Sequence, residues 1–170
     1  SVPMSSLVHV PKGVSSEEAV CMVSIYVTAF KAIKMVFNEG GSNFSLRDKK
    51  VVVVGGCDPV GQALIHLCKK AKASKIYVSA PVGRHGSFAS SFARSSGVKL
   101  LPADAADWPD EVKGKMDVVF DGESNDISGS KTALNGQGKL VIYGMSALLK
   151  DEEMGVFGAP TSAHMAKIVN

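Results

Sequence analysis

No apolar run in this 170-residue chain approaches the roughly 20 residues that a membrane span needs. Nor does a charged-then-apolar leader open it, so neither a transmembrane segment nor a signal peptide is read here. Cysteine is scarce. Cys21, Cys57 and Cys68 are odd in number and form no C-x-x-C pair, so neither a disulfide framework nor a zinc knuckle is indicated, and a reducing, cytoplasmic compartment is expected. The sequon at Asn43-Phe44-Ser45 is accordingly read as coincidence. Charge of one sign is also lacking: 19 basic against 16 acidic residues leave +3 at pH 7, interspersed rather than clustered. That pattern argues against nucleic acid or a membrane surface as a partner. The histidines His9, His66, His85 and His164 show no metal-ligand spacing, and a G-x-S-x-G nucleophile elbow is missing.

What is present is a chain 45% hydrophobic and 21% charged, enough for one well-filled core. Ser15-Ser16-Glu17-Glu18 is a capping box, in which a serine hydroxyl accepts from the first turn and Glu18 reaches back. Behind it Ala19, Met22, Val23, Tyr26, Ala29, Phe30, Ile33, Val36 and Phe37 recur at helical spacing, with Gly40-Gly41 as a stop. From Lys49 onward short apolar runs alternate with longer helical ones. The runs are Val51 to Val54, Lys75 to Ala80, Val98 to Leu101, Met116 to Asp121 and Lys139 to Gly144. Helices are expected at Val60 to Ala73, about Ser87 to Ser96, Asp107 to Lys113 and Ser128 to Asn135. Five such runs joined by crossovers mean a doubly wound (Rossmann) parallel α/β sheet with helices on both faces.

In such a sheet ligands sit beyond the carboxyl ends of the strands, where strand order reverses. The loops after Val54, Ala80, Leu101, Asp121 and Tyr143 therefore carry the function. Gly56 and Gly61 have the G-x4-G spacing of a P-loop, but Gln62 and Ala63 stand where Lys and Ser or Thr must reach phosphate and magnesium. Taken as G-x-G-x-x-G, the stretch keeps its first and third glycines, Gly56 and Gly61, and carries Asp58 at the second. A short-chain reductase needs Lys four residues after its Tyr; Tyr26, Tyr77 and Tyr143 are followed there by Phe30, Pro81 and Ala147, so that class is disfavoured.

The segments VPKGVSSEEAVCMVSIYVTAFKAI, KKVVVVGGCDPVGQALIHLCKKA, MDVVFDGES and GQGKLVIYGMSALL together resemble, in order and spacing, the cofactor domain of the medium-chain dehydrogenase/reductase superfamily. The likeness is to its zinc-free quinone oxidoreductase branch, with GKLVIYGMSALL most similar to the vesicle amine transport protein-like members. The resemblance implies a lead-in segment and helix over 1–40, a dinucleotide-binding domain over 41–150 and the start of a return segment over 151–170, the catalytic domain of the relatives being absent. Since the chain opens at Ser1 rather than Met, it is expected to be a piece of something longer. Zinc-dependent relatives place a ligating cysteine four residues before the Thr of their T-A-F motif; here that position is Ser24, so catalytic zinc is not expected.

The resemblance also implies the cofactor. An acid at the end of the second strand would bind the ribose 2′-hydroxyl of NADH and repel a 2′-phosphate. After Ser79 the chain reads APVGRHGS, with Arg84 and His85 close by, so NADPH is expected over NADH; the alternative is that Arg84 simply faces solvent. Val60 belongs to the glycine loop. Thr28 corresponds to a threonine near the nicotinamide, and Tyr143, Gly144 and Met145 to the loop beside the nicotinamide ribose. Each has a plainer alternative: Thr28 bonding its own helix, Tyr143 as an amphipathic strand end, Asp121 capping the turn after its strand, His66 packing.

Locally, Asp58-Pro59 is a good helix start, Asp at the N-cap and Pro at the first helical position. A carboxylate there stands where a pyrophosphate would bring its own charge, so the chain is expected to cap itself. Two unit charges about 4 Å apart repel by roughly 4 kcal/mol at an effective dielectric of about 20, an upper bound on the order of a thousandfold in affinity. Two functions follow. One is the NADPH-binding portion of a reductase of quinones or α,β-unsaturated carbonyls, with no catalytic residue assigned and substrate determinants elsewhere. The other is a non-catalytic nucleotide-sensing or dimerisation module, with Val156 to Val169 as a self-association region and a homodimer as the expected assembly.

Overall fold

The computed structural model describes residues 3–37, 45–80, 82–123, 127–143 and 166–169, with backbone alone at positions 6, 82–85 and 166–169. Ser15 caps the first helix, α1 (Ser16–Lys34), as its sequence requires: its hydroxyl accepts from the Glu18 N–H at 3.1 Å while Glu18 accepts from the Ser15 N–H at 2.9 Å. The stop expected at Gly40-Gly41 lies outside the described residues.

The chain then runs β1 (Lys50–Val54), α2 (Pro59–Lys70), β2 (Lys75–Ser79), α3 (Val82–Ser96), β3 (Lys99–Leu101), β4 (Met116–Asp121), α4 (Ile127–Thr132), β5 (Leu134–Tyr143) and β6 (Ala166–Val169). The sheet order is β3-β2-β1-β4-β5-β6; the pairs from β3 to β5 are parallel, and β6 closes the edge antiparallel to β5. The doubly wound sheet is thus as expected, with one further strand that lies in the segment expected to start a return.

Alternation explains why Val51 to Val54 is apolar throughout. Val51 and Val53 enter the cluster under α1 and α2 with Ala29, Ile33 and Leu64, while Val52 and Val54 enter the opposite one with Trp108, Val112 and Leu140. A strand buried on both faces has no polar side to show.

Several expected elements are corrected, among them the fifth strand, which starts at Leu134 rather than Lys139. Asp107 to Lys113 is not a helix: a 3-10 turn covers Ala105–Asp107, and Pro109 then starts a turn in which Val112 N–H bonds its carbonyl at 2.8 Å. The helix expected to reach Asn135 ends at Thr132, because β5 begins at Leu134, pairing with Met116. In α1, Met22, Val23 and Phe30 of the expected apolar face are exposed, whereas Ala29 and Ile33 of that face are buried together with Thr28 and Ala32. Apolar residues lie almost all round this helix, so periodicity alone cannot choose its inner side.

Candidate functional site

Register brings three strand ends to one level: Val54 pairs with Ser79 of β2 on one side and with Asp121 of β4 on the other. Strand order reverses at β1, so the crevice of the fold opens above Val54 between β1 and β4.

The chain leaves β1 through Gly55, whose φ of +73° is a left-handed conformation that favours glycine. Gly55 and Gly56 both donate their N–H to the Ser79 carbonyl, at 3.1 and 3.2 Å, which folds the loop against β2. A Cβ on Gly56 would lie 2.6 Å from Val78 Cγ1, and one on Gly61 would lie 2.5 Å from the Gly55 carbonyl oxygen. The two retained glycines therefore let α2 begin with its backbone directly on the loop.

Asp58 occupies the N-cap position and Pro59 the first helical one, yet the Asp58 side chain makes no capping hydrogen bond. The expected self-capping is corrected. Its backbone is engaged, N–H donating to the Gly55 carbonyl at 3.0 Å and carbonyl accepting from Gln62 at 2.8 Å, while its Oδ2 turns toward Gly55, 3.7 Å from where a Cβ there would stand. Pro59 has no N–H to offer, and the first-turn N–H groups of Val60 and Gly61 stay uncapped by Asp58 at the crevice mouth.

Asp121 is buried and fully engaged: Oδ1 accepts from the Glu123 N–H at 3.0 Å and Oδ2 from the Ser130 hydroxyl at 2.8 Å. It holds the turn after β4, as a strand-end acid is expected to. Gly122 donates its N–H to the Val54 carbonyl at 3.2 Å, and the Tyr143 hydroxyl donates to the same oxygen at 3.4 Å. The Tyr143 ring fills the space beside Gly122, where a Cβ would lie 2.7 Å from it. Burial, then the carboxylates of Asp121, Asp58 and Glu123, push the Tyr143 phenol far above its usual range.

Sequence reasoning missed Glu123. A Cβ on Gly55 would meet its Cγ at 3.2 Å and its Oε1 at 3.5 Å, so this side chain overlies the glycine loop. Burial first, then Asp121 and Asp58, raise its pKa above the usual 4.5. The available signal was its place two residues beyond the end of a strand at the crevice. Beside it a cavity of about 400 Å³ is lined by Val54, Asp104, Trp108, Asp121, Glu123 and Ser130 among others, within the size range of small-molecule sites. Trp108 donates its indole N–H to the Pro102 carbonyl at 3.0 Å, and the Ser79 hydroxyl donates to the same oxygen at 3.2 Å.

The other expected residues lie apart or are engaged. The Thr28 hydroxyl donates to the Ser24 carbonyl of its own helix at 2.8 Å. His66 bonds Tyr26 across the α1–α2 contact at 3.0 Å. Arg84 and His85 fall within the first turns of α3, which starts at Val82 rather than near Ser87, and are described by backbone alone. Gly144 and Met145 lie outside the described residues. Among the described residues no group of three His, Cys, Asp or Glu stands where it could hold a metal, and no helix is long and apolar enough to cross a membrane.

A dinucleotide can be tested against this geometry. Uncapped first-turn donors that Gly56 and Gly61 bring directly onto the loop, and an adjoining cavity, fit a diphosphate and the groups it carries. Asp58 and Glu123 set negative charge against it.

No family pattern and no curated protein matches the chain. Solved structures match its fold. A quinone oxidoreductase from Thermus thermophilus, also solved in complex with NADPH, is 23% identical with a TM-score of 0.61 over 82% of this chain and 43% of its own. A human synaptic vesicle membrane protein VAT-1 homolog-like protein is 24% identical, TM-score 0.57, over 86% of this chain and 41% of its own. An NAD-dependent alcohol dehydrogenase is 23% identical, TM-score 0.66, over 96% and 44%. The chain spans less than half the length of each.

Proposed function

We propose that this chain is the NADPH-binding portion of a zinc-independent oxidoreductase of the medium-chain dehydrogenase/reductase type, acting on quinones or α,β-unsaturated carbonyls. The observation that carries the reading is the uncapped start of α2 on a Cβ-free loop, set at the β1/β4 crevice beside a cavity. The fold shared with oxidoreductases, one of them solved with NADPH, supports it. Bound nicotinamide would supply the hydride; this chain holds and orients it.

In this reading the N–H groups of Val60 and Gly61 receive the diphosphate, and Gly56 and Gly61 set the start of α2 directly on the loop that presents them. The lack of an acid after Ser79, with Arg84 and His85 in the first turns of α3, favours the 2′-phosphate of NADPH over the ribose of NADH. Ser24 at the position of the zinc-ligating cysteine supports zinc independence. Substrate determinants belong to a separate catalytic domain, so the chain by itself is expected to bind cofactor without turning over substrate.

Trp108 is the one tryptophan and lines the cavity, so its fluorescence reports occupancy. Titration with NADPH and NADH should quench it, at lower NADPH concentration. No quenching by either, with no heat by calorimetry, would sink the reading.

A second reading, an assembly module, is favoured by the outer face of α1, where Val20, Val23 and Val27 are 70%, 66% and 46% exposed. A homodimer by light scattering that Val23→Glu with Val27→Glu dissociates would support it; a monomer at all concentrations would count against it.

A further inference from the structure

We infer that Glu123 is the residue that sets cofactor affinity at this loop, a carboxylate overlying the glycine turn that makes diphosphate capture proton-coupled; this rests on the dinucleotide reading above. Its side chain lies over Gly55, Cγ 3.2 Å and Oε1 3.5 Å from the position of a Cβ there, on the turn that leads into α2, whose first-turn N–H groups Asp58 leaves uncapped. The backbone that carries it is pinned. Gly122 N–H is bonded to Val54, Glu123 N–H to Asp121, and the Tyr143 ring blocks retreat on the side of Gly122. An arriving diphosphate therefore meets the Glu123 side chain on a main chain held by these bonds.

Among the described residues, the charged and titratable groups that face Glu123 are acidic or neutral. Asp58 comes from the loop after β1, Asp121 from the end of β4, Asp104 from the segment after β3, where its Oδ1 accepts from Ala106 N–H at 2.8 Å, and the Tyr143 phenol from β5. Among the described residues lining the cavity none is basic. Charge on Glu123 thus has no neutralising partner there among the described residues, and burial already favours its protonated form. A second anion arriving over the same glycine favours that form further, so binding takes up a proton and affinity falls as pH rises through the Glu123 titration, above 4.5.

NADPH binding is measured by calorimetry and Trp108 fluorescence for the wild type, Glu123→Gln, Glu123→Ala and Asp58→Gly from pH 5 to 8, at more than one buffer ionisation enthalpy. Glu123→Gln should bind on the order of tenfold tighter at pH 8, a partly screened charge's worth, and lose most of the wild-type pH dependence and proton uptake. Glu123→Ala should behave alike, separating charge from the side chain's bulk. Wild-type binding with affinity and proton uptake unchanged in both Glu123 variants, or altered only in Asp58→Gly, overturns this inference and leaves the dinucleotide reading standing. No binding by any variant overturns both.

Discussion

Gly61 stands on Gly56 backbone to backbone: a Cβ at position 61 would come 2.6 Å from the Gly56 Cα. Neither partner is a side chain that can swing away, so Gly61→Ala must lift α2 from the loop, at a cost of about 3 kcal/mol. Urea unfolding would measure it. Gly86→Ala is the control; nothing lies within 4 Å of a Cβ there, and its helical position predicts a gain of about 0.5–1 kcal/mol.

Tyr143 and Gly122 form a lock of ring on backbone. Gly122→Ala drives a methyl group into the Tyr143 ring and should destabilise by about 2 kcal/mol, with loss of NADPH binding as the turn after β4 shifts. Tyr143→Phe removes only a 3.4 Å hydrogen bond and should cost about 1 kcal/mol or less, binding being retained. Thermal unfolding with and without NADPH separates the two.

Asp117 ties the opposite end of the sheet. Burial works against its charge, but it accepts from the Lys50 N–H at 2.8 Å and from Lys49 and Asn135 at 3.2 Å, and the net effect holds its carboxyl below the usual 3.8. A depressed carboxyl contributes stability that is present above its unfolded value and is lost as pH falls through the folded one. Asp117→Asn should therefore cost about 1–2 kcal/mol at pH 7 in urea melts, the difference from wild type shrinking below pH 3.8.

The cysteines differ in access. Cys21 is exposed on α1, burial pushes the Cys68 thiol up to about 12, and burial followed by Asp58 raises that of Cys57. An aromatic disulfide reagent at pH 8 should modify one thiol rapidly in the native protein and all three in urea. Cys21→Ser should abolish the fast phase.

Sequence alone determined the doubly wound sheet, because alternating apolar runs and helical repeats admit few arrangements once parallel strands must be joined by crossovers. It also determined the capping box at Ser15 and the glycine at Gly61, each set by contacts close along the chain; Gly56 was legible from the motif, although the contact that requires it is with Val78 of β2. Tertiary structure decided which side of α1 is buried, since an apolar residue such as Val23 carries no mark of the face it will show. Only β5 pairing with β4 moved the end of α4 back to Thr132. Tertiary structure also decided the orientation of Asp58, whose cap was legible as a preference but lost to a turn toward Gly55. Above all it brought in Glu123: 68 residues beyond Gly55, it reaches that glycine because Val54 and Asp121 share a register, a relation between strands that no local pattern encodes.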